Sequence, residues 1–321
     1  MSRPAVGVVG GGAWGLALAA AAARTGGPTL LLSRRALDGA LPAGVTLALD
    51  GADLGARARL ILFAVPSGMA RSVARSLSAH LNGRHFVVHG VRGLVPRPDA
   101  DGEKDTAGDL ATISDVVRHE TSARRVGALG GPALASDLLA GRPTVLVGGS
   151  RYPEVIAALR GAFEVPMLRL FATDDLLGLE WASALVGCLA IGVGYARGVG
   201  LGTGLLAAVI TRAVEEAGRL AAEAGGYDRT LLGLAGYGDL FASITQTERP
   251  EVLLGEALAR GQTLQQAVAE QKQRVEAVEL TGRLVAWAEA RGVRAPVFRT
   301  LARGVLSGGP RDALVRELMA G

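Results

Sequence analysis

Cysteine is almost absent from this chain, and lysine is nearly as rare. Cys188 is the single cysteine in 321 residues, which excludes a disulfide within the chain and a thiolate metal cluster. It lies in an apolar run, which predicts a small core residue and a reducing, cytoplasmic location. Lys104 and Lys272 are the only lysines, so subtracting 2 from the 34 basic residues leaves 32 arginines. Because arginine does not normally release its proton, proton transfer has to rely on other groups.

Runs of basic residues and a metal-binding pattern are also missing. The net charge is +4 and the pI is near 9.7, but the arginines are spread along the chain, so we expect no nucleic-acid partner. The first residues, MSRPAV, lead straight into an apolar segment, so we expect no signal peptide. The uncharged stretch 181–196 is shorter than the ~20 residues of a bilayer span, so we predict a buried helix and no membrane span. The spacing of the four histidines suits no helical metal site, and we expect no bound metal.

What the chain does contain is a glycine-rich segment at its start, AVGVVGGGAWGLALA. Residues 5–9 predict a buried strand and residues 13–24 predict the helix that follows it. Gly10 would permit the tight turn, Gly12 would let the backbone approach a pyrophosphate, and Gly15 would let the helix pack on the strand. Unpaired N–H groups in the first helical turn would hold the anion. The segment therefore predicts a dinucleotide-binding loop, with a structural turn that binds no ligand as the alternative.

Two arginines stand where a dinucleotide's adenosine ribose is expected. Residues 28–33 predict a second strand, and Arg34 and Arg35 follow it with no Asp or Glu beside them. A carboxylate there would bind a ribose 2′-hydroxyl, whereas arginines would bind a 2′-phosphate. This favours NADP over NAD. If both arginines are merely solvated, the choice between the two cofactors stays open.

Short apolar runs alternate with helical stretches through the first half of the chain. They predict further strands at residues 60–65, 86–89, 126–129 and 144–148. This order is typical of an α/β fold with a Rossmann-like, doubly wound parallel sheet that binds ligands at the carboxyl ends of its strands. Residues 96–115 are rich in Asp, Pro and Gly and predict an exposed loop.

The pattern becomes entirely helical from about residue 173. Predicted helices cover residues 176–197, 205–223, 252–260, 263–269, 277–290 and 310–318. We therefore divide the chain into a dinucleotide-binding domain at 1–172 and an all-helical, substrate-binding C-terminal domain at 173–321. The apolar helices are compatible with a homodimer formed through the second domain.

The ordered set of loops resembles the bacterial NAD(P)-dependent glycerol-3-phosphate dehydrogenases over nearly the whole chain. The segments that carry the resemblance are GGGAWG at 10–15, AVPS at 64–67, GPALA at 131–135 with Thr144, ITR at 210–212 and GLAGYGDL at 233–240. The last of these is the closest match. The resemblance implies hydride transfer between NADPH and dihydroxyacetone phosphate or a similar small anionic carbonyl compound.

The resemblance also implies a set of site residues. Those expected to bind the cofactor are Gly10, Gly12, Ala13, Trp14, Gly15, Arg34, Arg35, Pro66, Ala135, Arg249 and Glu276. Those expected to bind the substrate are Arg92, Gly131, Asp239 and Arg249. Asp239 and Arg92 are the catalytic candidates. A carboxylate that caps a helix is the alternative role for Asp239.

Several positions depart from the family pattern where its chemistry lies. Val186 replaces the helix lysine, Gly187 the neighbouring asparagine, Ala133 a serine, and Arg92 the lysine of the fourth-strand loop. Valine donates no proton. In the segment that clamps phosphate in the family, Arg249 keeps the charge, while Glu248 would repel a substrate phosphate unless it points away.

Three hypotheses follow from the retained and lost positions. The first is a dehydrogenase of the family's type. The second is an NADP-binding homologue with impaired catalysis that acts as a sensor or partner subunit, which the joint loss at 133, 186 and 187 suggests. The third is a reductase of a different small keto acid in the same architecture, with His89 as the group to test and a structural histidine as its alternative.

Overall fold

The computed structural model describes residues 5–37, 39–98, 105–246, 249–271 and 275–309 of the chain. These residues form two compact units. The first unit comprises Met1–Val91 and Thr112–Leu179, and the second comprises Arg92–Ala111 and Glu180–Gly321. The domain boundary between residues 172 and 173 stays a prediction.

Ten strands are present in the described residues. They are β1 Ala5–Val9, β2 Thr29–Leu32, β3 Val45–Leu47, β4 Ala58–Phe63, β5 Phe86–His89, β6 Val95–Pro98, β7 Asp105–Ala111, β8 Arg125–Gly130, β9 Thr144–Gly149 and β10 Leu168–Thr173. Eight of them form the sheet of the first unit in the order β10-β9-β8-β5-β4-β1-β2-β3. The chain leaves β1 for β2 on one side and later returns to place β4 on the other, which creates the switch point where such sheets bind ligands.

The direction of the last two strands corrects the expectation of a wholly parallel sheet. The pairs from β3 to β8 are parallel, but β8 and β9 pair antiparallel, and β10 runs parallel to β9. The connection from β8 to β9 holds only one short helix, α5 Ala135–Ala140. Six helical residues span about 9 Å, whereas a six-residue strand spans about 20 Å. The helix is too short to carry the chain back along the strand, so β9 starts at the edge where β8 ends.

Helices cover the sheet of the first unit. Besides α5 they are α1 Ala13–Ala23, α2 Gly51–Arg57, α3 Ser67–Leu77, α4 Ile113–Glu120 and α6 Pro153–Phe163. The core contains β4 and α6 residues such as Leu62 and Phe163, both fully buried. Five consecutive alanines end α1, and small side chains let that helix lie close to the sheet. The Rossmann-like fold class is thereby confirmed. Strands β3 and β10 and helices α2, α4, α5 and α6 were not among the elements that the sequence predicted.

The second unit is mainly helical. Its helices are α7 Leu176–Gly198, which begins at the end of the first unit, α8 Thr203–Glu223, α9 Asp228–Leu232, α10 Asp239–Thr245, α11 Pro250–Ala259, α12 Leu264–Ala269, α13 Ala277–Ala290 and α14 Pro296–Thr300. A Cβ on Gly194 of α7 would lie 2.1 Å from the carbonyl oxygen of Val252, and one on Gly255 of α11 would lie 2.1 Å from that of Ile191. Glycine therefore permits the close approach of α7 and α11. The predicted helix at 310–318 lies outside the described residues.

Helix α7 is long and apolar enough to cross a membrane by length and composition. In its most apolar stretch of 18 residues, 89% of the stretch is buried inside the protein. The central helix of a folded domain can have the same length and composition. Packing against the rest of the protein buries such a helix. Trp181 of α7 also packs against Trp287 of α13, with ring centroids 4.6 Å apart.

The expectation of an exposed loop over residues 96–115 was wrong for the part that is described. Strands β6 and β7 pair antiparallel, and α4 starts at Ile113. Asp109 of β7 accepts from Arg291 of α13 at 2.8 Å and pairs with Arg97 at 2.9 Å. The Arg291 guanidinium also lies 4.4 Å from the centre of the Trp287 ring. These contacts, which no local pattern encodes, hold the hairpin on the helices of the second unit.

Candidate active site

The glycine loop between β1 and α1 requires glycine at two positions for steric reasons. Gly10 has φ +120°, and a Cβ there would lie 2.3 Å from the carbonyl oxygen of Ala64, which follows β4. A Cβ on Gly15 would lie 1.8 Å from the carbonyl oxygen of Gly10. No side chain fits at either position, so the loop, the first helix and the neighbouring strand pack at backbone distance.

Gly12 differs because nothing in the described chain fills the space beside it. Its φ of −78° is open to any residue, and a Cβ there would meet no atom within 4 Å. Gly12 and Ala13 are exposed, and no side chain caps the start of α1. The first-turn N–H groups of that helix are thus available to an anion, and the helix dipole favours negative charge there. The loop has the steric and electrostatic properties of a pyrophosphate cradle.

Trp14 in this loop is partly buried against the core of the first unit. Its Nε1 is buried and has no hydrogen-bond partner among the residues that the structure describes. A Cβ on Gly90, directly after β5, would lie 2.4 Å from this nitrogen. Glycine at position 90 therefore makes room for the indole ring.

Arg34 and Arg35 follow β2 and are exposed. Ser33 fixes the turn between them and the strand, because its Oγ accepts from the N–H of Arg35 at 3.2 Å and donates to the Arg35 carbonyl at 2.9 Å. The Arg34 guanidinium reaches the sulfur of Met69 at 3.6 Å. A Cβ on Gly11 would lie 2.4 Å from Ser33 Oγ, so this turn is next to the glycine loop. The predicted phosphate and ribose contacts thus lie close together in the first unit.

Other predicted cofactor and substrate residues occupy element ends. Pro66 is exposed before α3, Ala135 is half-buried at the first residue of α5, and Glu276 is half-buried before α13 in the second unit. Gly131 has φ +94°, and a Cβ there would lie 3.0 Å from Val147 Cγ2. Its glycine is needed for the turn after β8. The roles of these four residues stay predictions.

The second unit brings together residues that are far apart in the sequence. Asp239 begins α10, and its Oδ1 accepts from Arg92 Nη2 at 3.2 Å and from Arg249 Nη1 at 3.3 Å. The exposed fraction of the side chain is 2% for Asp239, 6% for Arg249 and 32% for Arg92. Burial lowers the pKa of the Arg92 guanidinium below its ordinary value, with Arg249 adding to this effect and Asp239 and Glu251 opposing it. Asp239 therefore holds two arginines, and no side chain caps the start of α10.

Two buried polar atoms of this cluster lack a hydrogen-bond partner among the described residues. They are Asp239 Oδ2 and Arg249 Nη2. A buried charged atom without a partner costs free energy, so such atoms are expected where a ligand completes the site. A carboxylate oxygen beside a guanidinium N–H suits a ligand that combines a hydroxyl group with an anionic or carbonyl oxygen.

Sequence reasoning missed one member of the cluster. Glu251 Oε2 accepts from Arg249 Nε at 3.1 Å, and its side chain is 19% exposed. The available signal was its position two residues after Arg249 in the first turn of α11, where acidic residues are common for helix-dipole reasons alone. Glu248, predicted to repel a phosphate, lies outside the described residues.

Val186 and Gly187 lie in the middle of α7. Val186 is 1% exposed, and a Cβ on Gly187 would lie 3.5 Å from Ala277 Cβ and 3.9 Å from Glu251 Oε1. Neither residue has a side chain that donates a proton. Gly187 instead lies beside the carboxylate of Glu251.

His89, the proton donor considered under the third hypothesis, is buried in the first unit. Its Nδ1 accepts from the N–H of Val91 at 3.3 Å, and its Nε2 lies 3.5 Å from Ser114 Oγ. Both ring nitrogens thus have partners in the fold, which favours a structural histidine. Among the described residues, no three His, Cys, Asp or Glu side chains lie close enough together to hold a metal ion.

The sheet with its glycine loop and the helical unit with its buried charge cluster together define a Rossmann-type dinucleotide-binding protein with a helical second part. Comparison with known proteins gives the family. Residues 5–155 match the model of the NAD-dependent glycerol-3-phosphate dehydrogenase N-terminus, and residues 175–315 match that of the C-terminus. The chain belongs to this family, which confirms the resemblance seen in its motifs.

Individual relatives agree with this result. The chain is 33% identical to the glycerol-3-phosphate dehydrogenase [NAD(P)+] of Gluconobacter oxydans (strain 621H), over 94% of this chain and 92% of that one. It is 36% identical to the enzyme of the same name from Paracidovorax citrulli (strain AAC00-1), over 91% and 90%. A crystal structure of glycerol-3-phosphate dehydrogenase from Coxiella burnetii superposes with a TM-score of 0.88 at 25% identity and covers 99% of both chains.

Proposed function

We propose that this chain is an NAD(P)-dependent glycerol-3-phosphate dehydrogenase that interconverts dihydroxyacetone phosphate and glycerol 3-phosphate. Family membership over the whole chain supports this activity. The observation that carries the substrate assignment is the buried pair of unsatisfied atoms, Asp239 Oδ2 and Arg249 Nη2. The substrate offers what they lack, because it carries hydroxyl, carbonyl and phosphate oxygens.

The cofactor residues fit a nicotinamide dinucleotide. In this proposal the loop of Gly10, Gly12, Ala13, Trp14 and Gly15 binds the pyrophosphate, since the open space beside Gly12 and the uncapped helix start provide room and N–H donors. The cofactor, when bound, supplies the hydride. NADP is the favoured form, because two exposed arginines follow β2 where NAD-specific loops place a carboxylate. Pro66, Ala135, Arg249 and Glu276 are proposed to complete the cofactor site.

Arg92, Gly131, Asp239 and Arg249 are proposed to bind the substrate. Arg249 binds the anionic group, and Asp239 accepts a hydrogen bond from a substrate hydroxyl through Oδ2. Arg92 stabilises the negative charge that develops on the carbonyl oxygen as hydride reaches carbon 2. The proton that this oxygen takes up comes from a water molecule that Asp239 orients as a hydrogen-bond acceptor, because Val186 has none to give. General-acid help is worth about 10² to 10⁴ in rate, so this route gives a slow enzyme.

Turnover and binding test this proposal separately. The full-length protein is assayed for NADPH oxidation with dihydroxyacetone phosphate, and its Tm is measured with saturating NADPH and with NADH. We expect turnover above background and a larger Tm shift with NADPH. Clear binding without turnover on this substrate or a panel of keto acids would favour the catalytically impaired homologue. No stabilisation by either cofactor would overturn the assignment.

The second unit also supports a homodimer. Four large apolar side chains on the segment from the last residue of α9 to the first turn of α10 are exposed, namely Leu232, Leu234, Tyr237 and Phe241. Such a group on a surface is typical of a protein interface. We expect light scattering to give twice the chain mass of 32.8 kDa, and a monomer at micromolar concentration would contradict this. The proposed location is the cytoplasm.

A further inference from the structure

Glu251 is held next to Arg249 by the start of a helix. Arg249 is the residue before α11, Pro250 is its first residue, and Glu251 lies in its first turn. Proline fixes its own φ at a value that suits the first helical turn. The carboxylate accepts from Arg249 Nε at 3.1 Å. Because both side chains are largely buried, solvent screens this pair less than it screens a surface ion pair.

These contacts limit how Arg249 can bind a further anion. A guanidinium grips phosphate best with two parallel N–H groups, either Nε with Nη2 or Nη1 with Nη2. Glu251 occupies Nε, and Asp239 Oδ1 accepts from Nη1. Nη2 is buried and has no partner in the described part of the chain. Glu251 therefore prevents bidentate binding through Nε and Nη2, and Nη2 is the nitrogen left for a ligand.

Glu251 also cancels charge in the cluster. Two guanidinium groups, Arg92 and Arg249, face two carboxylates, Asp239 and Glu251, so the four side chains sum to zero. The other oxygen of Glu251 points toward Gly187, where a Cβ would lie 3.9 Å away. Glycine offers that oxygen no side-chain donor to offset its charge.

We propose that Glu251 is a specificity-determining residue that lowers the affinity of Arg249 for a doubly charged phosphate group. The inference rests on the proposed function, in which Arg249 binds the anionic group of the substrate. Glu251 is responsible for two effects on that group. It occupies Nε, and it repels the anion across the guanidinium.

The test measures binding of inorganic phosphate to the full-length protein, by the shift in Tm at constant ionic strength. Glu251→Gln keeps an acceptor for Nε but removes the charge, and Glu251→Ala removes both. Glu256→Gln is the matched control, because it deletes the same charge from the same helix at a residue that pairs with Arg197 at 3.5 Å. Arg249→Gln locates the binding site.

The expected result is a tighter phosphate complex in both Glu251 variants. One unit charge about 6 Å from the anion in a partly screened site changes Kd by about tenfold. Glu251→Gln should show this change, Glu251→Ala a larger one, and Glu256→Gln a change of less than about twofold. Arg249→Gln should lose the phosphate-induced shift.

Two results would overturn the inference. One is an unchanged or weaker phosphate affinity in both Glu251 variants, and the other is the absence of any phosphate shift in the wild-type protein and in both variants. If Glu251 is merely structural, its variants should have a lower Tm without binding phosphate more tightly. That outcome is the first of the two results. Turnover of dihydroxyacetone phosphate with NADPH under either result would leave the proposed function standing, whereas loss of cofactor binding would remove the proposed function itself.

Discussion

Individual glycines of the first loop have separable tasks. Gly12 borders open space and has an ordinary φ. A Cβ on Gly15, by contrast, would lie 1.8 Å from the carbonyl oxygen of Gly10. We expect Gly12→Ala to keep the wild-type Tm within a few degrees and to weaken NADPH binding by about tenfold or more, because the methyl group takes the place of a phosphate.

Gly15→Ala provides the comparison, since the added Cβ has no space in the folded protein. Overpacking of this kind costs about 1–3 kcal/mol or more. Its Tm should fall clearly without ligand. Equal NADPH affinity in Gly12→Ala and the wild type, measured by fluorescence titration, would show that no phosphate lies beside position 12.

The single thiol should be chemically silent in the folded protein. Burial raises the pKa of Cys188 to about 12, and its Sγ donates to the carbonyl oxygens of Ala184 and Ala277. At pH 8 the reactive thiolate is therefore scarce, and access is closed as well. Titration with a chromogenic disulfide reagent should detect no thiol in the native protein and one thiol per chain in guanidinium chloride. A fast native reaction would contradict the burial of α7.

Residues that are far apart in the chain explain why the candidate site was only partly predictable. Arg92 and Asp239, named from the motifs, are 147 positions apart, yet they share a hydrogen bond. Glu251 belongs to the same cluster, but its local position is equally that of a common helix-start acid. Sequence patterns predict the residue types, whereas the partner of each charge depends on how α10 and α11 pack.

At the scale of elements, apolar periodicity was a good guide where burial is regular. The prediction of residues 86–89 and 277–290 agrees with the bounds of β5 and α13. The direction of β9 depends on the length of α5, and the β6–β7 hairpin depends on contacts with Arg291. Short-range patterns contain neither kind of information.

Helices α3 and α4 are joined by a buried carboxylate whose charge should matter for stability. Glu120 accepts from Arg71 at 2.6 Å and from Arg75 at 2.6 Å, and its side chain is 6% exposed. Burial acts to raise its pKa, but hydrogen bonds from Arg75, Arg71 and His119 outweigh burial and lower the pKa below its ordinary value. A carboxyl with a lowered folded-state pKa stabilises the protein above its unfolded-state pKa.

The stabilisation by Glu120 should therefore be complete at neutral pH and disappear in acid. We expect Glu120→Gln to lower the free energy of unfolding by about 1–2 kcal/mol at pH 7, given the half-exposed Arg75. The difference from the wild type should shrink as the pH falls from about 5 through the lower folded-state pKa. Urea unfolding at several pH values measures it, and a difference independent of pH would show that the charge is not responsible.

At the scale of the whole molecule, the chain belongs to a dehydrogenase family, and it has Val186 in α7 where the resemblance implies a lysine. The glycine loop between β1 and α1 and the cluster around Asp239 are both present in the described residues. Together they support a protein that still transfers hydride, with charge stabilisation by Arg92 in place of a nearby ammonium donor.

The most direct test follows the hydride itself. The full-length protein is incubated with NADPH that carries deuterium at the transferable C4 position, together with dihydroxyacetone phosphate, and the product is analysed by mass spectrometry. We expect glycerol 3-phosphate with one deuterium on carbon 2. Unlabelled product, or no product from a protein that binds NADPH, would contradict it.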